Sequence, residues 1–323
     1  MDEAQKLFDS KYTGLQIEEA ITAGLELRND PQLALANLGG RPNRNLADNC
    51  YFAGGGSQKG YGVFPINQRG KTLYSELQQT MFDRWWHTND PGTFELTDEG
   101  LKITAEAGTN ACMAQFFDGI VSEDTEVTLS ALYRGQIILD FYGYTHTPSP
   151  VVNDGWGMHA YTYTIPAGTN LADKLYCPTV KAVAGTTAYI LAIKFEIGDK
   201  QTLAYQDSNG IWRLFETQDY GKTLAACQRQ LLKLGANSAL GYAESSTTAN
   251  IFVPVPTLMR AKPVWSGTIT KLYPDDGNAV DFVTVSSLDM SSNMICLVCT
   301  GTGFTTGKVY SAAYVDGFLS AEL

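Results

Sequence analysis

From Thr93 onward, apolar and polar residues alternate with a period of two, which restricts the fold more than any other feature of this chain. "TFELT", "LKITAEA", "ACMAQFF", "TEVTLSALY", "GQIILDFYGY", "MHAYTYTIP" and "TTAYILAIKFEIG" are runs of strand length, rich in β-branched and aromatic residues and separated by turn formers. Successive side chains of a strand point to opposite faces, so each run buries one face and wets the other. The spacing predicts a mainly β chain built on an antiparallel β-sandwich. Strands resume near the end with "ANIFVPVP", "VWSGTITKLY", "AVDFVTVSS", "NMICLVCT" and "KVYSAAYVDGFLS". Between the two sets, "GKTLAACQRQLLKLG" places Leu224, Cys227, Leu231 and Leu234 at helical intervals and predicts the one later helix. The regular strand and helix alternation of a doubly wound enzyme is absent.

The first 40 residues follow a different period. Leu15, Ile21 and Leu25 lie near one helical face with Leu7 upstream, and Thr13 is placed to cap the N-terminus ahead of Glu18 and Glu19. A helix of about 14 residues is marginal alone, so its stripe must pack on something. "NDPQLALANLGGRPN" adds a helical turn stopped by Gly39, Gly40 and Pro42. The expected division is a helical segment over 1–44, a sandwich over 45–235 and a smaller β unit over 236–323.

Composition removes several functions. With 34 acidic against 23 basic residues the net charge is −11, which opposes attraction to nucleic acid and to anionic membranes. No run of about 18 apolar residues suggests a membrane span, and no basic and apolar leader opens the sequence, so synthesis in the cytoplasm is expected. The six cysteines sit in apolar surroundings and read as reduced, buried thiols. In "CLVC" a strand would send Cys296 and Cys299 to opposite faces, with no second pair or histidine to complete a zinc set. No metal and no cofactor is expected.

Three stretches carry chemistry. In "NLADNCYF", Asn45, Asp48 and Asn49 have short polar side chains that can hold a non-repetitive path by bonding to the backbone. Arg69 of "PINQRG" or Arg84 of "FDRWW" can pair with Asp48 or Asp83, which would pin this path to the first strand as a structural collar; a ligand loop is the alternative. Consecutive Trp85 and Trp86 would face opposite ways in a strand, one into the core and the other towards a sugar or a sister chain. The connection "YGYTHTPSPVVNDGWGMH" supplies Tyr142, Tyr144, His146, Asn153, Asp154, Trp156 and His159. Aromatic planes with amide and carboxylate groups suit carbohydrate, whose rings present C–H faces and hydroxyls; the plainer reading is a hairpin packed on its own aromatics. A metal triad of His146, Asp154 and His159 is a weaker alternative. Glycoside hydrolysis needs two carboxylates at a set separation, and no pair is singled out; no hydrolase elbow, zinc-protease or P-loop motif occurs. The glycine loop at Gly54–Ser57 lacks a following helix and reads as surface loop.

"NLADNCYF", "PINQRG", "FDRWW", "FEIGDKQTLAYQD", "LAACQRQLLKLG", "VPVPTLMRAKP" and "FLSAEL", in that order, resemble the tail-fibre-like minor structural proteins of tailed bacteriophages and prophages. One departure is Gln230, where related chains carry Tyr after the "CQR" element. The resemblance implies a jelly-roll-like sandwich similar to carbohydrate-binding modules, a homotrimer displayed on a virion, attachment to other virion proteins through 1–44, and noncatalytic adhesion to a bacterial surface glycan. Rival readings are an architectural head fibre, collar or baseplate component, and a polysaccharide depolymerase.

Overall fold

The structure, a computed structural model, describes residues 43–53, 64–117, 119–141, 147–171, 177–235, 239–274, 279–281, 283–291 and 294–322. The helical stripe and turn expected before residue 43, and the glycine loop at 54–57, lie outside these residues.

The sandwich consists of two antiparallel sheets. Its strands are β1 (Leu73–Tyr74), β2 (Gln79–Thr80), β3 (Trp86–His87), β4 (Gly92–Thr97), β5 (Gly100–Ala105), β6 (Ala111–Ala114), β7 (Thr125–Gly135), β8 (Ile137–Phe141), β9 (Val152–Ile165), β10 (Pro178–Ala182) and β11 (Thr187–Ile197). One sheet runs β1-β4-β5-β11-β7-β9 and the other β2-β3-β6-β10-β8. The expected alternation is visible in β4, where Gly92, Phe94 and Leu96 are buried while Thr93, Glu95 and Thr97 are half-exposed. Phe94 pairs in register with Ile103, and both join Phe52, Phe82, Trp85 and Phe141 in the core between the sheets. Truncating such a residue to Ala costs about 3–5 kcal/mol, because the cavity adds to the lost burial.

β11 is the long central strand, and one of its edges is shared. β5 pairs only with Thr187–Ile190, and a bulge follows between Ile190 and Ala192. Beyond it residues 46–52 take over: Leu46 N–H donates to Phe195 O (2.7 Å), Phe52 N–H to Leu191 O (2.9 Å), and Ile193 N–H to Cys50 O (2.9 Å). The irregular "NLADNCYF" thus supplies the backbone partners that a buried strand requires. A small hairpin, β12 (Ala204–Gln206) and β13 (Trp212–Leu214), follows the sandwich.

The helix expected at 221–235 is half that long. α1 spans Tyr220–Gln228, capped by Asp219, whose carboxylate accepts from Lys222 N–H at 2.9 Å. Leu231 and Leu234, read as part of its stripe, belong instead to strand β14 (Leu231–Leu234). Leu231, Leu232 and Leu234 are all buried, so the strand is covered on both faces and lacks the period-two signal.

The C-terminal sheet contains β14 with β15 (Ala239–Ala243), β16 (Thr248–Pro254), β17 (Val264–Pro274), β18 (Val280–Asp281), β19 (Thr284–Ser291), β20 (Met294–Thr300) and β21 (Val309–Ser320). Its order is β18-β17-β21-β15-β16-β20-β19, with β14 added beside the end of β21. Ala249, Ile251, Ile295, Leu297, Cys299, Tyr310 and Leu272 fill its own core. At Gly241 a Cβ would lie 1.8 Å from Asn250 O, so only glycine lets β15 approach β16 there.

Candidate functional site

The first polar cluster gathers the six candidate collar residues, of which Asn49 and Asp83 are buried and Asn45, Asp48, Arg69 and Arg84 half-buried. Asn49 adopts φ 55°, a left-handed conformation that Asn tolerates better than most residues. Its side-chain amide donates to Ile66 O and Asp83 O, both at 2.8 Å, and its carbonyl accepts from Ile66 N–H at 2.6 Å. Its backbone carbonyl accepts from Trp85 Nε1–H at 2.9 Å. Of the pairings open to Arg69 and Arg84, two are present, Arg84 Nε to Asp48 (3.2 Å) and Arg69 Nη1 to Asp83 (3.7 Å). Arg84 sits at φ 76° and also donates to Phe116 O, which anchors a backbone geometry that a non-glycine residue rarely takes. Asn45 bonds both backbone groups of β11, donating to Ile193 O and accepting from Phe195 N–H, each at 3.0 Å.

The same cluster joins the two β units. Gln68 donates to Asp83 Oδ2 (2.7 Å) and Leu231 O (2.6 Å), and accepts from Lys233 N–H (3.0 Å). Arg69 pairs with Glu322, Ala321 N–H donates to Gln230 O (2.7 Å), and Arg260 donates to Arg229 O through its backbone and to Ala321 O through its side chain. Residues of "PINQRG", "FDRWW", "LAACQRQLLKLG", "VPVPTLMRAKP" and "FLSAEL" thus meet at this junction, which Asn49 joins to "NLADNCYF". Burial pushes the Asp83 carboxyl up to about 7, although two Gln68 hydrogen bonds and the Arg69 charge pull it down.

Trp85 is fully buried, as one of the paired tryptophans was expected to be. Trp86 is half-buried against its own chain, its ring 5.9 Å from that of Phe116, near Ala114 and Cys177. All six cysteines are free and five are buried; Cys296 and Cys299 differ in exposure as a strand requires.

The second cluster lies on the outer face of the six-stranded sheet. Tyr142, Tyr144 and His146 fall outside the described residues. Asn153 and Asp154 are exposed at the start of edge strand β9, beside Gly155 at φ 70°. Trp156 is half-buried and packs near Leu132, Met158 and Trp212 on the outer face. His159 pairs with core residue Ala131 and meets the edge of Tyr133 at 6.4 Å, so it points to the other face. The odd separation of Trp156 and His159 divides the candidates between two faces. Among the described residues no group of three potential ligands could hold a metal ion.

Two residues of this face were not singled out from the sequence. The Arg134 guanidinium lies 5.6 Å from the ring centre of Trp156 and 4.4 Å from that of Tyr189, and pairs with the exposed Glu99. Tyr189 pairs with both Arg134 and Lys102 in register, and Lys102 with Glu95, so a row of aromatic and charged groups crosses the sheet. Alternation alone directs Arg134 outward; only strand pairing sets it between two rings.

A cleft of about 430 Å³ separates the β1–β2 region from the C-terminal sheet, lined by Arg69, Lys71, Tyr74, Glu76, Ser266 and Phe318. Glu76 is the one carboxylate among its lining residues. No family profile and no curated protein matches the chain. Among solved structures, the chain is similar to the tandem CBM22-1–CBM22-2 domain of Paenibacillus barcinonensis Xyn10C, at 14% identity, with 78% of this chain and 97% of that one covered. The TM-score is 0.25, and at that level the likeness carries no inference about ligand or role.

Proposed function

We propose that the chain is a noncatalytic virion appendage of a tailed bacteriophage or prophage, a homotrimer that adheres to a bacterial surface glycan. The observation that carries the adhesive part is the Trp156–Arg134–Tyr189 row beside Glu99. The aromatic rings give apolar contact, the guanidinium gives donors and the carboxylate gives an acceptor, which is the set a sugar's C–H face and hydroxyls require. Exposed Asn153 and Asp154 extend that set along the edge strand. The virion part rests on the sequence resemblance. Attachment to other virion proteins is assigned to residues 1–44.

A shallow site of this kind has a Kd near 1 mM, worth about 4 kcal/mol, which would retain a particle poorly. Three linked sites facing one way raise avidity by about 10² to 10⁴. The test is binding of the full chain to host cells and to arrayed bacterial glycans, for wild type and for a Trp156→Ala, Tyr189→Ala double variant with an unchanged mass and melting temperature. Loss of binding in the variant is the expected result. Undiminished binding removes this face as the site, and absence of binding by wild type favours the architectural reading.

A further inference from the structure

The C-terminal sheet carries an apolar face on the side opposite its core. In register, Leu240 lies beside Phe252 and Ser311, Phe252 beside Cys296, and Tyr242 beside Val309 and Asn250, which in turn pairs with Val298. These residues alternate with Ala239, Ala243, Ile251, Leu297 and Tyr310, which point into the core. Leu240 is 63% exposed, Val309 53%, Tyr242 43% and Met294 42%, while Phe252 and Val298 are half-buried. The Tyr242 and Phe252 rings stack at 6.0 Å, making a smooth surface. Elsewhere in the sandwich the exposed apolar residues, such as Leu73, Ile120 and Ile211, are scattered.

Four outward residues each from β16 and β20 and two each from β15 and the start of β21 cover about 400 Å², some two-thirds of it apolar. The largest apolar patch of a typical monomer measures about 300–600 Å² and is often functional. The face is about half of the area that a standard interface buries on each partner, about 800 Å², and would form its centre. Its outward residues on β15, β16 and β20 and at the start of β21 carry no charge; the polar ones are Thr, Asn and Ser. That matters in a chain of net charge −11, because two copies repel unless they meet where charge is missing.

We propose that the outer face of β15, β16, β20 and β21 is the surface through which copies of this chain associate, with Leu240, Tyr242 and Val309 at its centre. The inference rests on the homo-oligomeric part of the reading above and is independent of adhesion. It places the contact in the C-terminal unit, leaving the Trp156 face of the sandwich free.

The test is sedimentation of the full chain over a dilution series, for wild type and for Leu240→Glu and Val309→Glu made separately. Both positions are more than half exposed, so each variant should fold. A carboxylate at the centre of the contact should weaken association at least about a hundredfold, because an unpaired charge would be buried against apolar residues. Cys296 provides a second readout, since it lies on this face and is the one cysteine of the six that is not buried. Its alkylation should be slow in concentrated wild type, and faster on dilution or in either variant. A monomeric wild type overturns both this inference and the oligomeric reading. An oligomeric wild type whose folded variants associate equally well overturns this face alone. Should the variants fail to fold, Cys296 decides: protection lost on dilution supports the face, and an unprotected thiol in the oligomer refutes it.

Discussion

The junction around Asn49 and the outer row around Trp156 use the same kinds of side chain, amide, carboxylate, guanidinium and indole, yet they differ in what those groups face. At the junction Asn49 and Asp83 are 0% and 1% exposed, and their polar atoms are answered from within the chain. In the outer row Arg134 has two aromatic neighbours and an exposed carboxylate partner, and Asn153 and Asp154 face solvent. A buried polar group left unpaired costs about 1–3 kcal/mol, so the first cluster is fixed by the fold. The second has donors and acceptors to spare for a ligand. Identical residue types therefore hold two units together in one place and present a surface in another.

The largest expected effect is at Asn49. Replacement by Ala strands Ile66 N–H and two backbone carbonyls and imposes a left-handed backbone on a residue that resists it, so urea unfolding should show a loss of about 3 kcal/mol or more. Asn49→Gly keeps the backbone and should lose about 1 kcal/mol less. Asn153→Ala in the exposed row should change stability by less than about 0.5 kcal/mol; a comparable loss there would break the contrast.

Next is the pH dependence of the junction. The Asp83 carboxyl, held up at about 7 by burial, retains its proton when folded while the unfolded chain ionises at the ordinary carboxylate value. The folded state therefore binds more protons between about pH 4 and 7, and this group's contribution is greatest below that window and declines as pH rises through it. The slope reaches at most about 1.4 kcal/mol per pH unit. Asp83→Asn should flatten it in chemical denaturation followed across that range, and an unaltered slope would assign the dependence to other groups.

Trp156→Ala should cost about 1–2 kcal/mol, since the ring is only half-buried against Leu132 and Met158. The same change should weaken cell binding about tenfold per site, so the ratio of binding loss to stability loss separates a presenting residue from a structural one. The smallest effect belongs to Glu99→Gln. An exposed ion pair with Arg134 contributes less than about 1 kcal/mol, so melting should hardly change, and any change in glycan preference would show that the carboxylate meets ligand.

The sequence made some of this visible because the relevant signals are local. Phe94 and Leu96 of β4 were readable as inward residues, and the pairings of Arg69 with Asp83 and Arg84 with Asp48 were among those expected from opposite charges near one turn-rich path. Leu231 and Leu234 misled because a strand covered on both faces has no alternation, and leucines three apart also fit a helix. Arg134 and Tyr189 escaped notice because nothing nearby in the chain ties them to Trp156. Gln68 and Glu322 were quoted only as parts of longer fragments, although both act in the junction.

By itself the sequence determined the β character, the alternation of strands such as β4, β16 and β20, and the acidic balance, since the pattern depends on residues within a few positions of one another and the charge on composition alone. Tertiary structure decided the rest. It set which strands are neighbours, and hence that Arg134 lies between two rings, that Glu322 reaches Arg69, and that Leu240, Tyr242 and Val309 share one face. Such placements arise from strand register across long loops, and the energies that select a register are sums over whole sheets, so no short stretch of the chain encodes them.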